Sequence, residues 1–139
     1  MITSMDTFTK QQRKSCMSRI RSKNTTPEII VRKILTRLHY RYRLQVTNLP
    51  GKPDIVIRKS KLAIFINGCF WHQHQGCKRQ TLPKTNTEYW YKKLQGNVER
   101  QNKNIDILNK SGWNTVIVWE CETKNETSLF SRLQGVLSE

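Results

Sequence analysis

The chain has 139 residues and a formal net charge of +15, with 25 Lys and Arg against 10 Asp and Glu. That length suits a single domain able to bury its own core without disulfides. The charge draws polyanions, nucleic acid first, because neutralised phosphates release their condensed counterions. Met1 to Arg13 lacks an apolar core, and the longest apolar block, Leu62 to Ile66, is strand-sized. The composition therefore speaks against a signal peptide, a spanning helix or a membrane partner, and predicts a cytoplasmic protein whose four cysteines stay reduced.

In chain order, Thr9 to Ser22 is basic and polar with Met17 and Ile20 at helical spacing, which predicts a short helix or arm. Cys16 is expected on the face of that helix, without a role of its own. Thr26-Pro27-Glu28 reads as a helix start, with Thr as the N-cap, Pro at the first position and an acid in the first turn. Ile30, Ile34, Leu35 and Leu38 carry that amphipathic helix to about Leu38. Tyr40 to Val46 alternates apolar residues with Arg and predicts a strand with one wet face. After the turn Asn48 to Pro53, Asp54 to Ile57 predicts a short strand. Lys61 to Ile66, apolar on both faces, predicts a central one. Thr85 to Asn109 reads as a long helix with Tyr89, Leu94, Val98, Ile105 and Leu108 on its apolar face, ended by Gly112. Thr115 to Trp119 predicts a buried strand, and Thr127 to Leu137 a closing helix. The fold class is α/β, with one central sheet flanked by helices.

Three constellations carry chemistry. Cys69, Cys77 and a histidine between them share one loop, and Cys121 follows a strand end. Thiolates and an imidazole at four closed positions describe a structural zinc. The spacing leaves open whether His74 or His72 is the ligand; the other is free to take a proton from an attacking water. Asp54 opens a strand whose neighbour ends near that loop, an arrangement suited to holding Mg²⁺ beside a phosphate; equally, an Asp after a turn can be only a turn residue. Phe70, Trp71 and Trp90 either stack on or wedge between bases, or pack as a small core for the loop.

Pro50-Gly51-Lys52-Pro53-Asp54, Gly68-Cys69-Phe70-Trp71-His72, Pro83-Lys84-Thr85 with Tyr89-Trp90, Asn97-Val98-Glu99-Arg100, Gly112-Trp113 and Val118-Trp119-Glu120-Cys121 follow one another in register. Together they resemble the very short patch repair endonucleases, from about Arg13 to Glu122. The resemblance implies a restriction-endonuclease-like core at 25–139 carrying a structural zinc, and an N-terminal helical arm at 1–24 that contacts DNA. It implies a monomer that nicks one strand of duplex DNA 5′ to the thymine of a T:G mismatch left by deamination of 5-methylcytosine, with mismatch-repair proteins as further partners.

Carried over by motif, Asp54 binds Mg²⁺ with the main-chain carbonyl of Ile66, and His72 is the general base. Cys69, His74, Cys77 and Cys121 hold zinc, and Glu28 is a carboxylate near the active site. Phe70, Trp71 and Trp90 insert from the major groove, and Met17 approaches from the minor groove. This chain departs from the pattern at Asn67, where relatives have His, and at Gln101, where they have Asp. Asn67 can still bond a phosphate or a metal-bound water. Gln101 is expected to accept a bond from the His72 ring and fix its tautomer, without a carboxylate's stabilisation of imidazolium. Reduced or retuned activity follows. Ile66 replaces a Thr at no cost, since only the backbone is used, and Gly76 accommodates one extra residue between His74 and Cys77. Two readings compete with the mismatch nickase on these residues: a site-specific restriction-type nuclease for intact duplex, and a zinc-stabilised DNA-binding module with weakened catalysis.

Overall fold

The computed structural model describes residues 25–77 and 82–138; the expected arm, with Met17 and Cys16, lies outside them. Helix α1, Thr26–Arg37, starts one residue earlier than the sequence suggests. Thr25 is the cap: its backbone is extended and its hydroxyl accepts the Glu28 N–H at 3.4 Å. The strands are β1, Arg43–Leu44; β2, Ile55–Ile57; and β3, Leu62–Asn67. Helix α2, Thr87–Lys110, then leads to β4, Asn114–Trp119, a 3₁₀ turn over Glu120–Lys124, and α3, Glu126–Leu137.

The sheet runs β1-β2-β3-β4, antiparallel across the first two pairs and parallel between β3 and β4. The expected strand over Tyr40 to Val46 shrinks to two residues because Gln45 takes a left-handed conformation (φ +51°), which ends the ladder. β3 is central, as its two apolar faces require. β4, expected to be buried, is instead at an end of the described sheet, and Val118 is its only buried residue.

Alternation along β3 divides the core. Leu62 and Ile64 point to α1 and α3, where they meet Val31, Ile34, Leu35, Leu129 and Leu133. Ala63 and Phe65 point to α2, where Leu108 is buried with them and Ile105, Ile117 and Trp113 pack around. Tyr89 was expected on the apolar face of α2 but is 58% exposed, since α2 buries only Leu94 and Leu108. The Pro50–Pro53 turn needs glycine: at Gly51 (φ +78°) an added Cβ would lie 3.0 Å from the Asn104 Cβ of α2 and 3.2 Å from the Phe65 ring. Among the described residues, no helix is long and apolar enough to cross a membrane.

Candidate active site and metal centre

The parallel register pairs Asn67 with Trp119, so Cys69 and Cys121 each emerge two residues past a strand end on the same side of the sheet. Open α/β sheets hold their sites beyond the carboxyl ends of the strands for this reason. The loop after β3 winds into a turn, with the N–H groups of His72 and His74 bonded to the carbonyls of Gly68 and Cys69. Gln73 is left-handed (φ +47°) and its side chain donates to the Phe70 carbonyl at 2.8 Å. The chain thereby turns between His72 and His74, and the two rings serve different surroundings.

His74 is the histidine that joins the thiols. The candidate ligand atoms of Cys69, His74, Cys77 and Cys121 all lie within 4.8 Å of one another. His74 Nδ1 is 3.6 Å from the Cys69 sulfur and 3.4 Å from that of Cys121. Tetrahedral zinc, with bonds of about 2.3 Å to sulfur and about 2.0–2.1 Å to nitrogen, requires edges of roughly 3.5 Å between such atoms, so the donor set fits a metal ion. Burial and the neighbouring Cys121 and Cys77 push the Cys69 thiol up to about 12. A cation held among these sulfurs would favour the thiolate form of Cys69. The imidazole also stacks on Trp119, ring centroids 4.1 Å apart and planes within 7°. Cys121 is steadied in turn by Glu122, which accepts the Trp119 N–H at 3.0 Å and two bonds from Arg132 of α3 at 2.7 Å.

Asp54 lies one residue before β2, on the same side of the sheet. Its carboxylate accepts the Ile66 N–H at 2.7 Å, while its backbone N–H donates to Ile64 at 3.1 Å and its carbonyl accepts from Gln45 at 3.0 Å. Burial, and after it the charge of Glu28, raise its pKa to about 6 against the pull of the Ile66 N–H. Glu28, 3% exposed, is more than a first-turn acid: it accepts from the Gln45 side chain at 2.8 Å and lies 3.7 Å from Arg32. Two carboxylates repelling each other in a partly desolvated setting are suited to receive a cation.

Asp54 opens on a pocket of about 430 Å³ that Lys52, Asn67, His72, Arg100 and Gln101 also line. Burial, followed by the charge of Arg100, lowers the His72 pKa from its ordinary value, so its ring is neutral at pH 7. Its Nδ1 is buried without a hydrogen-bond partner among the described residues. The bond expected from Gln101 to this ring is not made. Gln101 instead pairs with Asn67: the Asn67 amide donates to Gln101 Oε1 at 2.6 Å and the Gln101 amide donates to Asn67 Oδ1 at 2.8 Å. Two amides can each donate and accept, so they satisfy one another head to tail, and Asn67 is buried at 2% exposure.

Phe70, Trp71 and Trp90 converge, with ring centroids 5.3–6.0 Å apart. They are half-buried, and Tyr89 adds an edge contact to Trp90 at 5.5 Å. Sequence reasoning passed over Lys93, whose ammonium sits 5.7–6.0 Å from the rings of Trp71, Tyr89 and Trp90. It also gave no separate role to Asn97, which donates to the Trp71 carbonyl at 3.2 Å and accepts from Arg100. Asn97 and Arg100 stand in a recognised run, but only their one-turn spacing on a helix facing the loop reveals this work.

Comparison with known proteins agrees with this arrangement. The sequence profile of the DNA mismatch endonuclease Vsr matches residues 5–79. The chain is 43% identical over 134 residues to the type II nicking enzyme V.NmeAIP of Neisseria meningitidis, covering 96% of this chain and 95% of the relative. It is 40% identical over 132 residues to the type II nicking enzyme V.XorIIP of Xanthomonas oryzae pv. oryzae, covering 95% and 96%. It is 37% identical over 124 residues to the DNA mismatch endonuclease Vsr of Escherichia coli, covering 89% and 79%. The chain is a DNA endonuclease and belongs to the Vsr family.

Proposed function

We propose that this endonuclease nicks one strand of duplex DNA 5′ to the thymine of a T:G mismatch, with Mg²⁺ at Asp54 and zinc at Cys69, His74, Cys77 and Cys121, on a restriction-endonuclease-like core. The observation that carries the reading is the shared pocket: a carboxylate whose pKa is raised by burial and by Glu28 and a neutral imidazole line one cavity, beside a half-buried aromatic group. His72, kept neutral by burial and by Arg100, takes the proton from a water aimed at the phosphorus. Arg100 and Lys52, lining the same pocket, attract the phosphate. Asp54 and the Ile66 carbonyl would hold Mg²⁺, which would supply neutralisation of the charge that develops on the phosphate oxygens. The Asn67–Gln101 pair holds the pocket wall in one geometry, leaving each amide nitrogen a second N–H to donate to the phosphate. Glu28, through Gln45, fixes the approach to Asp54. Phe70, Trp71 and Trp90 form a wedge that a mismatch, stacked less firmly than a matched pair, admits at lower cost; Lys93 lies over two of its rings. Met17, on the expected arm, is assigned to the minor groove.

The test is a denaturing-gel assay on a short duplex labelled on each strand in turn, T:G beside T:A, with and without Mg²⁺. A break confined to the thymine strand of the T:G duplex and dependent on Mg²⁺ is the expected outcome. Equal cleavage of both duplexes would favour the restriction-type reading, and binding without scission the weakened module.

A further inference from the structure

We infer that the face of the β1–β2 hairpin left open by α2 is a second contact for the DNA backbone, about four base pairs from the scissile phosphate. The inference rests on the reading of the Asp54 pocket as the place of cleavage. Asp54 is the only acidic residue between Glu28 and Glu88. Within that span the hairpin builds a cavity of about 1090 Å³, with Arg41, Arg43, Arg58 and Lys59 on its walls and no carboxylate among its lining. All four are exposed, and none makes an ion pair with a described residue.

Strand alternation decides which way the arginines at this cavity point. Tyr40, Tyr42 and Leu44 pack toward the core shared with α1 and α3, so Arg41 and Arg43 point to the opposite face. Arg43 stands across from Val56, which pairs in turn with Ala63, a residue buried against α2. α2 covers that face over β3 and β4 but contributes nothing to the cavity lining over β1 and β2. Asp54, Val56 and Arg58 share the parity of this face, so Arg41, Arg43 and Arg58 lie on the side that carries the candidate active site, and Lys59, in the turn that follows β2, lines the same cavity. Four residues of extended chain from Asp54 to Arg58 span about 13 Å, and at about 3.4 Å per base pair that is roughly four pairs along a duplex. Mutual repulsion of four uncompensated charges is relieved by a polyanion, and a duplex seated at Asp54 is the one already at hand.

The experiment compares the full chain with its Arg41→Gln/Arg43→Gln/Arg58→Gln/Lys59→Gln variant in Mg²⁺-free binding titrations over a range of salt. One T:G duplex carries roughly 12 base pairs on each side of the cleavage position, and two others are cut back to about two pairs on one side or the other. On the long duplex the variant's plot of log affinity against log salt is expected to be shallower by about 0.9 for each lost phosphate contact, up to about 3.6 for all four. On one of the shortened duplexes the difference should vanish. Single-turnover nicking at saturating enzyme should be unchanged. The Arg58→Gln/Lys59→Gln pair, which leaves β1 untouched, should give a smaller change of the same sign, and an unaltered melting temperature marks both variants as folded. Equal salt slopes for folded variants and the parent would overturn the inference and leave the patch to an acidic protein or to solvent. Failure of the parent chain to nick would count against the proposed function instead, with the binding slopes still readable.

Discussion

The two faces of the sheet were built for different ends. Toward α1 and α3 the strands present Ile55, Ile57, Leu62, Ile64 and Val118 to an apolar cluster with Val31, Ile34, Leu35, Leu129 and Leu133. Toward α2 the buried apolar cluster is smaller, Ala63, Phe65 and Leu108 with partly buried residues around them, and the same strands run on into Asp54, Asn67 and the thiol loop. Burial of the first face supplies stability in proportion to area removed from water. The second holds a carboxylate, an imidazole and a pair of amides at a cost in desolvation that the first must offset. What separates them is one residue of parity along β3.

The comparison yields predictions that differ in which face they strike. Removing metal from the thiol cluster should have the largest effect, since structural zinc in small domains supplies on the order of 10 kcal/mol. We expect one tightly bound zinc per chain by elemental analysis, and a strong chelator or Cys121→Ser should lower the melting temperature sharply. A chain that melts alike with and without chelator would remove zinc from the account. Asp54→Asn should reduce nicking by roughly 10³-fold, several kcal/mol of transition-state stabilisation, while thermal stability stays level or rises as the carboxylate repelled by Glu28 is neutralised. Leu133→Ala should do the reverse: it opens a void in the α1/α3 core and costs about 2–5 kcal/mol in denaturant melts, with the nicking rate of the folded fraction retained. If Asp54→Asn unfolds the chain or Leu133→Ala abolishes turnover in the folded state, the division between faces fails.

The amide pair sharpens the comparison, because it sits where the two demands meet. Gln101→Leu strands the buried Asn67 amide and should cost about 1–3 kcal/mol. Adding Asn67→Leu should recover part of that loss, read as a coupling energy in a double-mutant cycle. Additive losses would mean that the two amides do not act as a unit. Thr25→Ala, at the cap of α1, should show the smallest effect, about 0.5–1 kcal/mol, given a long cap bond of 3.4 Å.

Read alone, the sequence determined the class of the fold, the order of its elements and the ligand types of the metal loop. Those signals are local: a Thr-Pro-Glu helix start, an apolar run at Leu62 to Ile66, thiols and imidazoles within one loop. Boundaries moved where a single backbone conformation intervened, as at Gln45, whose left-handed φ ends β1 at Leu44, so that two residues remain of a predicted seven-residue strand. Spacing left His72 and His74 open and only the family resemblance pointed to His74; the tertiary structure sets His74 among the thiols, through the way the loop turns at Gln73 and the place of Cys121 across the sheet. Only it joined Gln101 to Asn67 rather than to His72, and set Lys93 over the aromatic rings. These contacts link a helix to a loop or strand distant in sequence, and nothing in local spacing records which side chains a fold will bring within 3 Å of each other.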